Sequence, residues 1–210
     1  MSTITIYLLS LPPLLLALTT HEYFHGYIAY RFGDPTAKLA GRLTFNPIKH
    51  IDILGLLAFI IFRFGWAKPV PINPYNFKNI NKGILYTSLA GPLSNFLLAI
   101  PFGLVLRILP VNTAMLLPIA IMFQLGLIYN LILCAFNLIP IPPLDGSKIL
   151  FSVLPANYRH IEPWLERYGF LILMGLIFFD RITGLPILWG WIGPFVNTFG
   201  RLFAGSIPLL

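Results

Sequence analysis

Residues 14–33 read "LLLALTTHEYFHGYIAYRFG", the end of an apolar run that opens at Ile4 and meets its first charge at Glu22. The run exceeds the roughly 20 residues that cross a bilayer as a helix. Pro12 and Pro13 interrupt it, so the helix either starts there or kinks. Within it, His21 and His25 are four residues apart. On an α-helix that spacing places both rings on one face, within reach of one ion. Glu22 lies between them, and an acidic residue at mid-membrane costs about 2.5–3.5 kcal/mol on insertion scales, so such residues usually mark function.

The whole chain supports a membrane reading. Of its 210 residues 57% are hydrophobic and 10% charged, and the mean hydropathy is +0.81; an average soluble chain carries about 25% charged residues. The composition predicts an all-α polytopic membrane protein, one domain over residues 1–210 with a core at about 4–150 and C-terminal helices at about 151–210. The net charge is +7, but the basic residues flank apolar segments. That pattern speaks for topology and anionic lipid headgroups, and against nucleic acid. Cys134 is the one cysteine, so no internal disulfide can form. The N-terminus lacks the basic region and small-residue cleavage site of a secretory signal, so the first segment is expected to persist as a helix.

Further spans are expected at about residues 84–109, 115–139 and 185–203, with residues 169–179 extended backward as one more apolar segment. Residues 53–62 are too few to cross upright and suit a re-entrant or interfacial element. The flanks "GRLTFNP" and "GWAKPVPINPYNF" are rich in Pro, Gly, Asn and aromatics and predict short strand-like segments and turns. Arg31, Lys38, Arg42, Lys49, Arg63, Lys68, Lys78 and Lys82 share one side if 53–62 does not cross; Lys148, Arg159 and Arg167 join them. The positive-inside rule makes that side cytoplasmic and favours about four full transmembrane helices.

"HEYFH" at 21–25 is an H-E-x-x-H motif, which supplies two zinc ligands and a glutamate that takes a proton from zinc-activated water. In a chain of this composition it arises by chance about once in a thousand sequences. Catalytic zinc takes three protein ligands and keeps one position open. His50 and His160 lie in polar connections, Asp180 is beside Arg181, and Glu162 and Glu166 fall in the polar stretch 147–168. Asp145, in "NLIPIPPLDGSK", directly follows a span and is the best candidate for the third ligand, the alternative being a helix C-terminus with a capping turn at the interface. Pro140, Pro142 and Pro143 break that helix, which is tolerated at membrane depth only where protein or water satisfies the freed carbonyls. Gly146 is expected to let the backbone turn sharply behind the ligand.

"HEYFH", "AGPLSN" and "NLIPIPPLDG" together resemble the site-2 proteases, intramembrane zinc metalloproteases, over about residues 19–148. "GRLTFNPIKHIDILG" and "GWAKPVPINP" are similar to the small members without PDZ or CBS domains. The resemblance implies one zinc on His21, His25 and Asp145, Glu22 as general base, and active-site roles for Asn137 and Asn95 as oxyanion or substrate-backbone partners. Gly91 reads as close helix packing without a chemical role.

The activity expected is hydrolysis of a peptide bond within or near a transmembrane segment of another protein, with lipid as the surrounding partner. The expected setting is the plasma membrane of a prokaryote, with the site toward the cytoplasm. "GWAKPVPINP" is the candidate for pairing with an unwound substrate by strand addition, the alternative being a loop at the headgroups. Two rival readings use the same residues. One is a metal transporter, against which stands the absence of an internal repeat; the other is a catalytically silent relative.

Overall fold

The structure, a computed structural model, describes residues 3–62, 65–109 and 115–205. Helix α1 runs Thr3–Arg31 straight through Pro12 and Pro13. A single turn, α2 (Thr36–Leu39), follows. The short apolar segment is α3 (Ile53–Phe62), ten residues long as its composition suggested, with the Asp52 carboxylate accepting from the Gly55 N–H at its start. Then come α4 (Ile80–Ile108), α5 (Leu117–Asn137), α6 (Asp145–Val153), α7 (Glu162–Thr183) and α8 (Ile187–Ala204).

α1, α4 and α5 are long and apolar enough to cross a membrane. α7 and α8 qualify only as a pair, bent by 91° at a short break. Gly184, at φ +71°, ends α7, and Asp180 turns back to accept from the N–H groups of Ile187 and Leu188 at the start of α8. Among the described residues there are thus three candidate spans, or four if the bent pair counts as one.

The strand expectation fails. Among the described residues the pairing in 41–77 is one antiparallel bridge, Ile51 with Ala67, extended by Lys68 N–H to the His50 carbonyl at 2.8 Å. Prolines 47, 69, 71 and 74 remove the donors that a ladder requires. The repeated Asn-Pro step instead makes two single-turn 3-10 helices. Asn46 accepts from Ile48 N–H to start Pro47–His50, and Asn73 accepts from Tyr75 N–H to start Pro74–Asn76. Arg63, counted above for topology, lies outside the described residues.

The core forms where α8 packs across α4 and α5. Leu106, Leu127, Leu131, Ile192 and Val196 are buried there, with Phe96, Phe199 and Phe203 stacked edge to face beside them. Exposed Ile4, Leu8, Leu97, Leu104 and Ile108 lie on the outer faces, as helices in lipid require. α1 packs against both α4 and α5, and the polar face of α1 is turned into that seam.

Candidate metal centre

His21 and His25 are both buried on α1, with their rings nearly perpendicular. His21 Nδ1 donates to Asn95 Oδ1 at 2.6 Å, and His25 Nδ1 donates to the Thr87 carbonyl at 2.7 Å. Both acceptors are carbonyl oxygens, so both Nδ1 atoms carry the hydrogen and each Nε2 presents a bare lone pair. The amide orientation is fixed by its neighbours. Asn95 Nδ2 donates to the Ala17 carbonyl at 3.0 Å and to Asn130 Oδ1 at 2.9 Å, while Asn130 Nδ2 donates to the Gly126 carbonyl.

Asp145 opens α6, where an acidic group suits the positive end of the helix dipole. Its buried Oδ2 has no hydrogen-bond partner and lies 3.2 Å from His21 Nε2 and 3.1 Å from His25 Nε2. The two Nε2 atoms are 2.9 Å apart. Three buried electron-rich atoms converge with no donor among them, an arrangement that repels unless a cation sits between. Ligands of a tetrahedral zinc at 2.0–2.1 Å stand about 3.3 Å apart. The observed separations match within a few tenths of an ångström, so the residues present fit the ion. His21, His25 and Asp145 form a three-residue ligand cluster among the described residues.

Gly91 has a sharper part than helix packing. A Cβ built there would lie 2.3 Å from His25 Nε2 and 2.6 Å from His21 Cε1. Thr87, Gly91 and Asn95 recur at intervals of four, one stripe of α4 facing the two histidines. The stripe bonds one ring, leaves room for both, and bonds the other. Gly146 is also corrected. It is not among the glycines with positive φ; instead its missing Cβ, which would lie 2.4 Å from the Leu138 carbonyl oxygen, lets α6 begin hard against the end of α5.

Glu22 is half-buried. Its Oε2 accepts from the Val70 N–H at 2.8 Å. Val70 therefore belongs to a strap laid over α1, where the sequence suggested an edge for a substrate. Asp34 pins the strap's far end and was missed in the sequence. Fully buried, it accepts from Asn73 N–H at 2.7 Å, Asn76 Nδ2 at 2.8 Å, Thr36 N–H at 3.1 Å and the Thr36 hydroxyl. Burial pushes its carboxyl up, but those bonds together outweigh burial and hold it below the usual carboxylate range. "GDPT" was the available signal, a turn-forming Asp before a proline.

Asn137, at the end of α5, is half-buried and donates to the Leu133 carbonyl of its own helix at 3.0 Å; the oxygens that accept from His21 and His25 belong to Asn95 and Thr87 instead. His50 pairs with the Thr44 carbonyl and His160 with the Asn157 carbonyl, and neither belongs to the cluster.

Comparison with known proteins adds three findings. The profile described as peptidase family M50 matches residues 108–178, the stretch that holds Asn137 and Asp145. "Putative zinc metalloprotease YwhC" of Bacillus subtilis is 38% identical over 215 residues, covering 97% of each chain. "Putative zinc metalloprotease Rip2" of Mycolicibacterium smegmatis is 31% identical over 188 residues, covering 84% of this chain and 69% of its own. No solved structure matches the chain significantly.

Proposed function

This chain belongs to peptidase family M50, the site-2 protease family, and from that premise we propose that it hydrolyses a peptide bond within or near a transmembrane segment of another membrane protein. One observation carries the reading: the lone pairs of His21 Nε2, His25 Nε2 and Asp145 Oδ2 converge inside the helix bundle. Those three residues would hold zinc, one ion per chain. Bound there, zinc supplies a Lewis acid that acidifies water and polarises the scissile carbonyl.

Glu22, adjacent to His21 in sequence, accepts the proton of the attacking water and returns it to the leaving amine. Asn95 is reassigned. Both of its amide hydrogens are spent on Ala17 and Asn130, so it orients His21 and has no donor left for an oxyanion. Asn137 spends one hydrogen on Leu133 and keeps one for that purpose. Proton transfer requires water, and Arg31, six residues or about 9 Å of helix beyond His25, marks the nearer end of α1. Together with the lysines and arginines on that side, it supports a site toward the cytoplasmic face of a cell membrane.

The test is reconstitution of the zinc-loaded protein in liposomes with a single-span substrate, following both cleavage and transmembrane zinc flux. Cleavage without flux supports the proposal; flux without cleavage establishes the transporter.

A further inference from the structure

We propose that Val70 is a positioning residue for Glu22, its main-chain N–H holding the carboxylate in the orientation from which it takes the proton. This rests on the hydrolytic reading above and adds to it a residue that acts through its backbone.

The local sequence isolates one donor. In "KPVPIN" (68–73) Val70 lies between Pro69 and Pro71, neither of which has an N–H. A residue before proline is restricted to extended backbone, so Lys68 and Val70 are both pre-set to that conformation. The strap is also fixed on either side of its tip without help from Glu22. Two residues before Val70, the Lys68 N–H donates to the His50 carbonyl at 2.8 Å. The Lys68 carbonyl accepts from Arg42 Nη2 at 2.7 Å. Three residues after Val70, the Asn73 N–H donates to Asp34 Oδ2. The Val70 side chain is buried, with its Cγ1 beside Gly26, one turn along α1 from Glu22.

A donor held by these anchors does not move to meet its partner; the flexible glutamate is the member that becomes ordered. Oε2 is taken by Val70, which leaves Oε1 as the oxygen that faces water. Such pre-arrangement of a base is how proton transfer gains rate without a change in substrate binding.

The test uses the full chain, zinc-loaded and in liposomes, cleaving a single-span membrane substrate. Val70→Ala keeps the N–H, and Val70→Pro removes it while retaining extended backbone. Replacing Val70 by its α-hydroxy acid turns the amide into an ester, removing the same hydrogen should the proline variant fold poorly. Val70→Ala, which trims the buried side chain but keeps the donor, is expected to lose less kcat than either donorless variant. For the two donorless variants kcat falls about 10- to 100-fold, the range for a hydrogen bond to a charged group, with KM and zinc content unchanged. Independently of activity, Glu22→Ala is expected to speed hydrogen exchange at the Val70 amide while leaving Lys68 protected. Wild-type or higher kcat in the ester variant, or equal losses in Val70→Ala, overturns the assignment and in the former case makes the contact dispensable or a latch. A wild type that holds zinc but cleaves no membrane substrate overturns the proposed function itself, and this inference with it.

Discussion

Substituting Gly91 by alanine places a methyl group where the rings of His21 and His25 already are. The added carbon would stand 2.3 Å from His25 Nε2 and 2.6 Å from both His21 Cε1 and His25 Cε1. Ordinary contact begins about 1 Å further out, so either α4 recedes or both rings rotate. Rotation lengthens the bonds to Asn95 and Thr87 and spreads ligand atoms now 2.9–3.2 Å apart. Overpacking of this kind costs about 1–3 kcal/mol, which corresponds to zinc binding weakened about 5- to 150-fold. Alanine is also the better helix former by about 0.8–1 kcal/mol, which offsets part of that cost in the metal-free protein. Competition with a chromophoric chelator gives the affinity, and thermal unfolding with and without zinc separates the two effects. Wild-type zinc affinity in Gly91→Ala would refute the claim that the α4 stripe is shaped around the ligands.

Two further perturbations address the supports of the site. Asn95→Ala removes the acceptor for His21 and strands the Ala17 and Asn130 oxygens; a loss of about 10- to 100-fold in zinc affinity is expected, checked by the same chelator titration, with Asn95→Asp restoring part of it. Asp34 has its pKa lowered by folding, so its contribution to stability is complete above the unfolded carboxylate pKa of about 3.9 and disappears as pH falls through the lower folded value. Thermal midpoints measured downward from pH 6 should show that acid-side loss in wild type and a weaker one in Asp34→Asn, which should already be less stable at neutral pH.

Much of the helical plan was legible because lipid imposes a crude rule: an apolar run of the right length becomes a helix. α4 and α5 end within a few residues of their apolar boundaries for that reason. His21 and His25 were legible because the i, i+4 spacing is itself geometry. Asp145 needed more, since nothing local places it beside a helix more than a hundred residues earlier; only the break before it hinted at a cavity. The strap was misread because Pro and Asn are common to edge strands and to turns, and tertiary anchors such as Asp34 and Arg42 decide between them. The α7–α8 bend has a glycine and a proline nearby as its signal, but its angle follows from packing α8 across α4 and α5. Gly91 and Val70 were invisible as functional positions because what matters is, in one, the atom that is missing and, in the other, the backbone.

The most direct measurement takes wild type and Glu22→Gln in parallel, purified, assayed for zinc by metal analysis, and incubated in liposomes with a single-span substrate whose fragments are identified by mass spectrometry. The account predicts one zinc per chain in both proteins, wild-type cleavage within or beside the spanning segment, and a rate for Glu22→Gln lower by about 10²–10⁴, the usual contribution of a general base. Cleavage by Glu22→Gln at the wild-type rate, or cleavage by wild type with no zinc bound, would contradict it.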